Sequence, residues 1–178
     1  MLAVVSLLFA CSEEDGDSPV FPFKGKEYAG LVVGQESIYQ IDSTLYDEFS
    51  GLVKQVSLQR REYVLRTELD AANRETFIVE IYTRSADTLP WRFNRVTKRV
   101  VTEFRYEVLD QNVLSVPLVF PIAVDKSWDS NTLNASIPKE YSYTSVNEPF
   151  VDGALSYDST VTVLQFEEEN LIEQLFEE

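Results

Sequence analysis

An antiparallel β-sandwich or barrel is the fold class this sequence predicts, and three observations predict it. Apolar residues recur with a period of two rather than 3.6, the alternating runs are short, and Gly, Pro, Asp or Asn sets them apart. Helical periodicity is nearly absent, which leaves a mainly β architecture of many short strands. With 178 residues, 44% of them hydrophobic and 12% aromatic, the chain suits one domain with its own core.

The elements follow in order. Residues 36–42 alternate as a first strand, and Gly51 closes the loop after them. Residues 53–58 alternate again and 62–69 continue in a β-prone style, ending in the turn residues Asp70, Ala71, Ala72 and Asn73. Phe77, Val79 and Ile81 make one apolar face against a mixed face of Ile78, Glu80 and Tyr82, which predicts a strand in the middle of the sheet. Residues 91–96 and 100–109 read as a strand pair, with Val100, Thr102, Phe104, Tyr106 and Val108 on one face of the second. Asp110, Gln111 and Asn112 turn that strand into 113–120, where Pro117 and Pro121 restrict it to an edge or a bulged position. Residues 140–146 and 159–166 form a last pair, joined through Pro149 and Gly153. The final stretch, 166–178, offers Leu171, Ile172, Leu175 and Phe176 as a helical face, and a strand after a turn fits it equally.

The formal net charge is −15, spread unevenly. Residues 54–105 carry 11 basic and 7 acidic groups, whereas 1–53 carry 2 and 9, and 106–178 carry 2 and 14. A surface this anionic repels a phosphate backbone, so nucleic acid is not an expected partner. The cations of the middle third, Arg60, Arg61, Arg66, Arg92, Arg95, Lys98 and Arg99, are expected to pair with acids elsewhere on the sheet. Histidine is absent and cysteine occurs once, at Cys11, which excludes Ser-His-Asp and Cys-His catalysis, His- or Cys-based zinc sites and internal disulfides.

The cysteine has a telling context. Residues 2–10 are almost wholly apolar, too short to span a membrane, and end at Ala10-Cys11 before Ser12-Glu13-Glu14-Asp15-Gly16-Asp17. Leu8-Phe9-Ala10-Cys11 resembles the lipobox of bacterial lipoproteins, with Phe9 where that family prefers a small residue and no Lys or Arg before the apolar run. The resemblance implies a signal peptide over 1–10, a start upstream of Met1, and acylation of Cys11, palmitate included. The acids after Cys11 resemble the export signal of surface lipoproteins in Bacteroidota, implying an outer-membrane lipid anchor and cell-surface exposure, with a periplasm-facing anchor as the other option. Residues 11–34 are expected to be a lipidated, acidic and flexible tether, and 35–178 the β-rich domain. "DSTLYDEF" (42–49), "ADTLPW" (86–91) and "PLVFPIAVDKSWDSN" (117–131) also resemble stretches of Bacteroidota lipoproteins that carry a β-rich domain. That likeness implies a chain running on past residue 178, and it supplies no catalytic residue.

Few constellations carry chemistry. A carboxylate pair flanking a cleft hydrolyses glycosides, but no pair stands out from the acidic surface. Asp125, Asp129 and Asn131 offer oxygen ligands for calcium, yet lack the acid spacing, Gly and terminal Glu of an EF-hand loop, so a turn around a buried Trp128 is the simpler reading. Trp91, Phe93, Trp128, Tyr141 and Tyr143 supply either core or a stacking platform. Asp42-Ser43-Thr44, Asp87-Thr88-Leu89 and Asp158-Ser159-Thr160 resemble the tripeptides at which Bacteroidota O-glycosylate exported proteins. The sequence therefore predicts a non-enzymatic lipoprotein that binds an envelope protein, a glycan or a lipid, without cofactor or metal. Trp91, Phe104 and Trp128 are its candidate ligand-binding residues, and a barrel enclosing an apolar ligand near them is the competing reading.

Overall fold

The computed structural model describes residues 25–47, 49–153 and 155–165. The lipobox-like stretch with Cys11, the acids after it and the stretch 166–178 therefore lie outside the described residues. A single 3-10 turn, Lys26–Ala29, precedes nine strands: β1 (Glu36–Tyr46), β2 (Val53–Leu69), β3 (Glu75–Arg84), β4 (Arg92–Val101), β5 (Arg105–Asp110), β6 (Val113–Val119), β7 (Ser127–Asp129), β8 (Glu140–Asp152) and β9 (Leu155–Gln165). The first six form one antiparallel meander in sequence order, curled into a half-barrel, and the last three form a small antiparallel sheet. The fold is thus mainly β and antiparallel, as the alternation predicts.

Local chemistry fixes the turns. After β2, Asp70 Oδ1 accepts hydrogen bonds from the backbone N–H of Ala72 and Arg74 at 2.8 and 2.9 Å, while Asn73 takes a positive φ. Between β5 and β6 the two-residue turn Gln111-Asn112 has positive φ at both positions, the geometry that matches strand twist. The β4–β5 connection departs from expectation. Residues 97–99, expected to interrupt the strand, run through β4, and the chain reverses at 102–104 instead. Thr102 causes this: its hydroxyl accepts from the N–H of Arg105 at 3.0 Å and of Phe104 at 3.2 Å, closing a turn in place of continued extension. The last pair is longer than expected, and Pro149 lies inside β8, where register shifts on both sides of Glu148 accommodate its missing N–H. Trp128, expected in a turn, lies in the short strand β7.

Tyr28, Ala29 and Leu31 pack against the core. Gly25 makes this approach feasible, because a Cβ there would sit 2.6 Å from the Ile122 side chain.

Cross-strand partners share a face, so the register sorts the large sheet. Its inner face carries Val64, Val79 and Thr97 in one row, and Val101, Tyr106 and Leu118 in another. β3 occupies the middle, with Val79 and Ile81 fully enclosed, as its two-faced pattern predicts. The core proper lies where this face meets the small sheet: Tyr106, Leu118 and Phe120 close on Tyr143, with Val146, Val161 and Val163 around them. Polar bonds fasten the junction. The Tyr143 hydroxyl accepts from the N–H of Val119 and donates to its carbonyl, both at 2.9 Å, and Trp128 Nε1 donates to the Val116 carbonyl at 2.8 Å.

Two buried carboxylates sit within this β framework. Glu62 is held by Arg99 at 2.6 Å and Arg60 at 2.7 Å, and Glu107 by Arg105 at 2.7 Å and Arg74 at 3.0 Å. Arg61, Arg66, Arg95 and Lys98 also make ion pairs, with Glu36, Glu68, Asp110 and Glu68 respectively. The Arg92 side chain makes no hydrogen bond or ion pair among the described residues.

Candidate binding face

The outer face of β2, β3 and β4 concentrates aromatic and guanidinium groups. Arg61, Tyr82 and Phe93 are successive cross-strand partners, so they form one row. A bulge between Ile81 and Tyr82 sets this arrangement: Ile81 faces Arg95 while Tyr82 faces Phe93, so Asn94 is the extra residue that turns Phe93 outward. The Tyr82 and Phe93 rings meet edge to face at 5.7 Å. Phe93 keeps 57% of its surface exposed, an apolar platform open to solvent.

Trp91, just before β4, overlies this row. The Arg61 guanidinium lies 4.3 Å from the Tyr82 ring and 5.2 Å from that of Trp91, and the Arg84 guanidinium lies 4.3 Å from Trp91. Arg84 is further fixed by Gln59 Oε1 at 2.7 Å, by Asp87 Oδ1 at 2.9 Å and by the Asp87 carbonyl at 3.0 Å. The Tyr82 hydroxyl donates to Glu80 at 2.6 Å, and that bond, with burial, raises the phenol's pKa above its ordinary value. Each of these side chains is held in place before any ligand arrives.

Two clefts adjoin along the β3–β4 connection. One, about 270 Å³, is lined by Leu58, Thr83, Arg84, Leu89, Pro90 and Arg92. The other, about 130 Å³, is lined by Gln40, Ser57, Gln59, Ser85 and Asp87, and the two share Leu58 and Ser85. By the register, Leu58, Thr83 and Arg92 of the first follow the inner face, whereas Gln40, Ser57 and Gln59 of the second share the outer face with Arg61 and Tyr82.

The structure separates the three candidate residues. Trp91 belongs to this outer face. Phe104 sits beyond the opposite end of β4, about 33 Å along a ten-residue strand at ~3.3 Å per residue, and is 66% exposed in the turn. Trp128 packs with Tyr143 at 4.6 Å and Tyr141 at 5.8 Å in the junction between sheets. None of the three lines either cleft of the β3–β4 connection. Nor do Asp125, Asp129 and Asn131 converge as ligands: Asp129 Oδ1 accepts from the N–H of Asn131 and Lys139, at 2.8 and 2.9 Å, and Asn131 Nδ2 donates to the Ile137 carbonyl. No cluster of three or more Cys, Asp or Glu able to hold a metal ion occurs among the described residues.

Arg61, Arg84 and Tyr82 escape sequence reasoning because alternation alone cannot bring the end of β3 against residue 91. The proximity of Arg84 and Trp91 around "SADTLP" was the available signal, since a hairpin connection brings its two ends together. Comparison with protein-family models, curated proteins and solved structures gives no match.

Proposed function

We propose that the protein is a non-enzymatic envelope lipoprotein, anchored through Cys11 at the outer membrane and exposed at the cell surface, whose β domain binds a ligand on the outer face of β2–β4. The observation that carries the binding reading is the pre-organised array of Arg61, Arg84, Tyr82, Trp91 and Phe93 beside the polar cleft of Gln40, Ser57 and Gln59. Such an array has no role in the core, which lies on the opposite face of the sheet at the junction with β7–β9. The anchoring reading rests on the sequence around Cys11. Each buried CH₂ of an acyl chain contributes about 0.8 kcal/mol, and two or more chains give stable membrane residence.

The two parts are tested separately. Cys11→Ala, expressed in a bacterium with lipoprotein processing, is expected to move the protein from the membrane to the soluble fraction. A variant that stays membrane-bound overturns the anchor. For the face, Phe93→Ala and Arg84→Ala are expected to abolish retention on ligand-bearing envelope material, and retention equal to the parent's overturns the assignment.

A further inference from the structure

Strand β1 is a sheet edge built without the devices that keep edges from pairing. An edge strand offers a row of unpaired N–H and C=O groups, and proteins blunt such rows with short strands, Lys, Pro or bulges. The other sheet edges among the described residues use them: β6 carries Pro117, β7 has three residues, and three register shifts bend β8 against β9. β1 runs eleven residues, Glu36–Tyr46, without Lys, Arg or Pro, and pairs with β2 in one unbroken register. Bonds at its two ends define the outward row. The Asp47 N–H donates to the Leu52 carbonyl and the Val64 N–H to the Gln35 carbonyl, both at 3.0 Å, so the odd-numbered residues bond to β2. The even-numbered ones from Glu36 to Tyr46 therefore turn their backbone groups to the open edge. Apolar side chains flank that edge on both faces: Ile38, Tyr39, Leu45 and Tyr46 are each about half exposed or more.

We propose that β1 pairs antiparallel with β1 of a second copy of this chain, joining two six-stranded sheets about a two-fold axis at Ile41. This register sets Glu36 opposite the partner's Tyr46 and Ile41 opposite the partner's Ile41, and it pairs all eleven residues. The strand's two charges, Glu36 and Asp42, then face Tyr46 and Gln40, whereas an axis one residue further on would set Asp42 against itself. Apolar residues meet on both faces. On the inner face Tyr39 lies beside the partner's Ile41 and the partner's Leu45, and on the outer face Ile38 lies beside the partner's Tyr46. Beyond the strand, the same register carries each hairpin tip toward the start of the other chain. That tip bears a fully exposed Phe49 with Leu52 and Val53, and Val32 and Val33 at the start of the domain are each more than half exposed. A strand of another protein satisfies the backbone row equally, but a second copy also matches these apolar ends, twice over by symmetry. Each chain carries a net charge of −15, and charges farther apart than about 8 Å are largely screened at physiological salt.

Sedimentation equilibrium of the full chain in density-matched detergent tests this, and a reversible dimer is expected. Ile38→Pro removes one outward N–H from each copy and no bond to β2, so it should weaken self-association at least tenfold while circular dichroism stays the parent's. Thiol cross-linking reads the register, in chains that also carry Cys11→Ala. Across the two-fold the odd-numbered residues form the close pairs, about 4.5 Å between Cα atoms, which is within disulfide reach. Ile41→Cys is therefore expected to cross-link two copies under mild oxidation. Ser43→Cys, four residues or about 14 Å along the strand from its own counterpart, is expected not to. A monomer at every concentration, a dimer that Ile38→Pro leaves intact, or cross-linking through Ser43→Cys as fast as through Ile41→Cys would each overturn the proposal. A different chain that co-purifies with a monomer and is lost in Ile38→Pro would overturn it too, and would make the edge the acceptor of that protein's strand. Where Ile38→Pro fails to fold, the cross-linking pair decides alone.

Discussion

Tyr143 has no exposed surface, and its hydroxyl satisfies both backbone groups of Val119 across the junction of the two sheets. Tyr143→Phe keeps the ring and strands those two groups, so it is expected to cost about 1–3 kcal/mol in urea unfolding. Burial also pushes the Tyr143 phenol up to about 12 and raises Tyr106 above the ordinary value of 10. The unfolded chain ionises these phenols near pH 10 while the folded chain still holds the protons, so the stability they confer is intact below pH 10 and lost as pH rises toward 12. Unfolding followed from pH 9 to 12 should show that fall, and Tyr143→Phe should make it shallower. Arg99 behaves differently, because removing it leaves Glu62 largely buried with only the more exposed Arg60. Arg99→Ala is expected to destabilise by roughly 3 kcal/mol, as broken buried pairs do, and chemical denaturation reads it directly.

β3 and β1 show how position in a sheet sets the weight of a side chain. Ile81, 2% exposed in the central strand, should cost about 2–5 kcal/mol on truncation to Ala, whereas Ile38, 53% exposed on edge strand β1, should cost within about 0.5 kcal/mol. The hairpin between β5 and β6 carries strain that a substitution relieves. Gln111 holds a φ of 48°, so Gln111→Gly is expected to raise stability by about 0.5–1 kcal/mol in the same measurement. These elements also show what the sequence discloses. The centrality of β3, the turns at 70–73 and 111–112 and the edge position of β6 with Pro117 are all legible from alternation and turn chemistry. The β4–β5 reversal was not, because Lys98 and Arg99 look like a polar break while Thr102, which makes the turn, is a strand former by propensity. The sequence offers Trp91 as a candidate but not Arg61, Arg84 and Tyr82 beside it: a bulge at Asn94 decides which ring faces outward, and no pattern of period two announces a bulge.

At the scale of the whole molecule, the two sheets meet through one cluster around Tyr143, Phe120 and Tyr106, and the far half of the β8–β9 hairpin projects beyond it. Phe150, Val151, Leu155 and Tyr157 are each about half exposed or more there. Amides of 148, 150–152 and 155–157 are therefore expected to exchange hydrogen at least tenfold faster than those of 77–81, as followed by mass spectrometry. The outer face of β2–β4 points away from that junction, so a ligand can be met there without disturbing the core. The measurement that tests this account most directly is the native mass spectrum of the protein extracted from its own membrane in mild detergent. The account predicts a chain beginning at Cys11, carrying acyl mass on that residue and, on part of the population, the further mass of a bound ligand that Phe93→Ala removes. An unprocessed chain without acyl mass, or a ligand retained unchanged by Phe93→Ala, would contradict it.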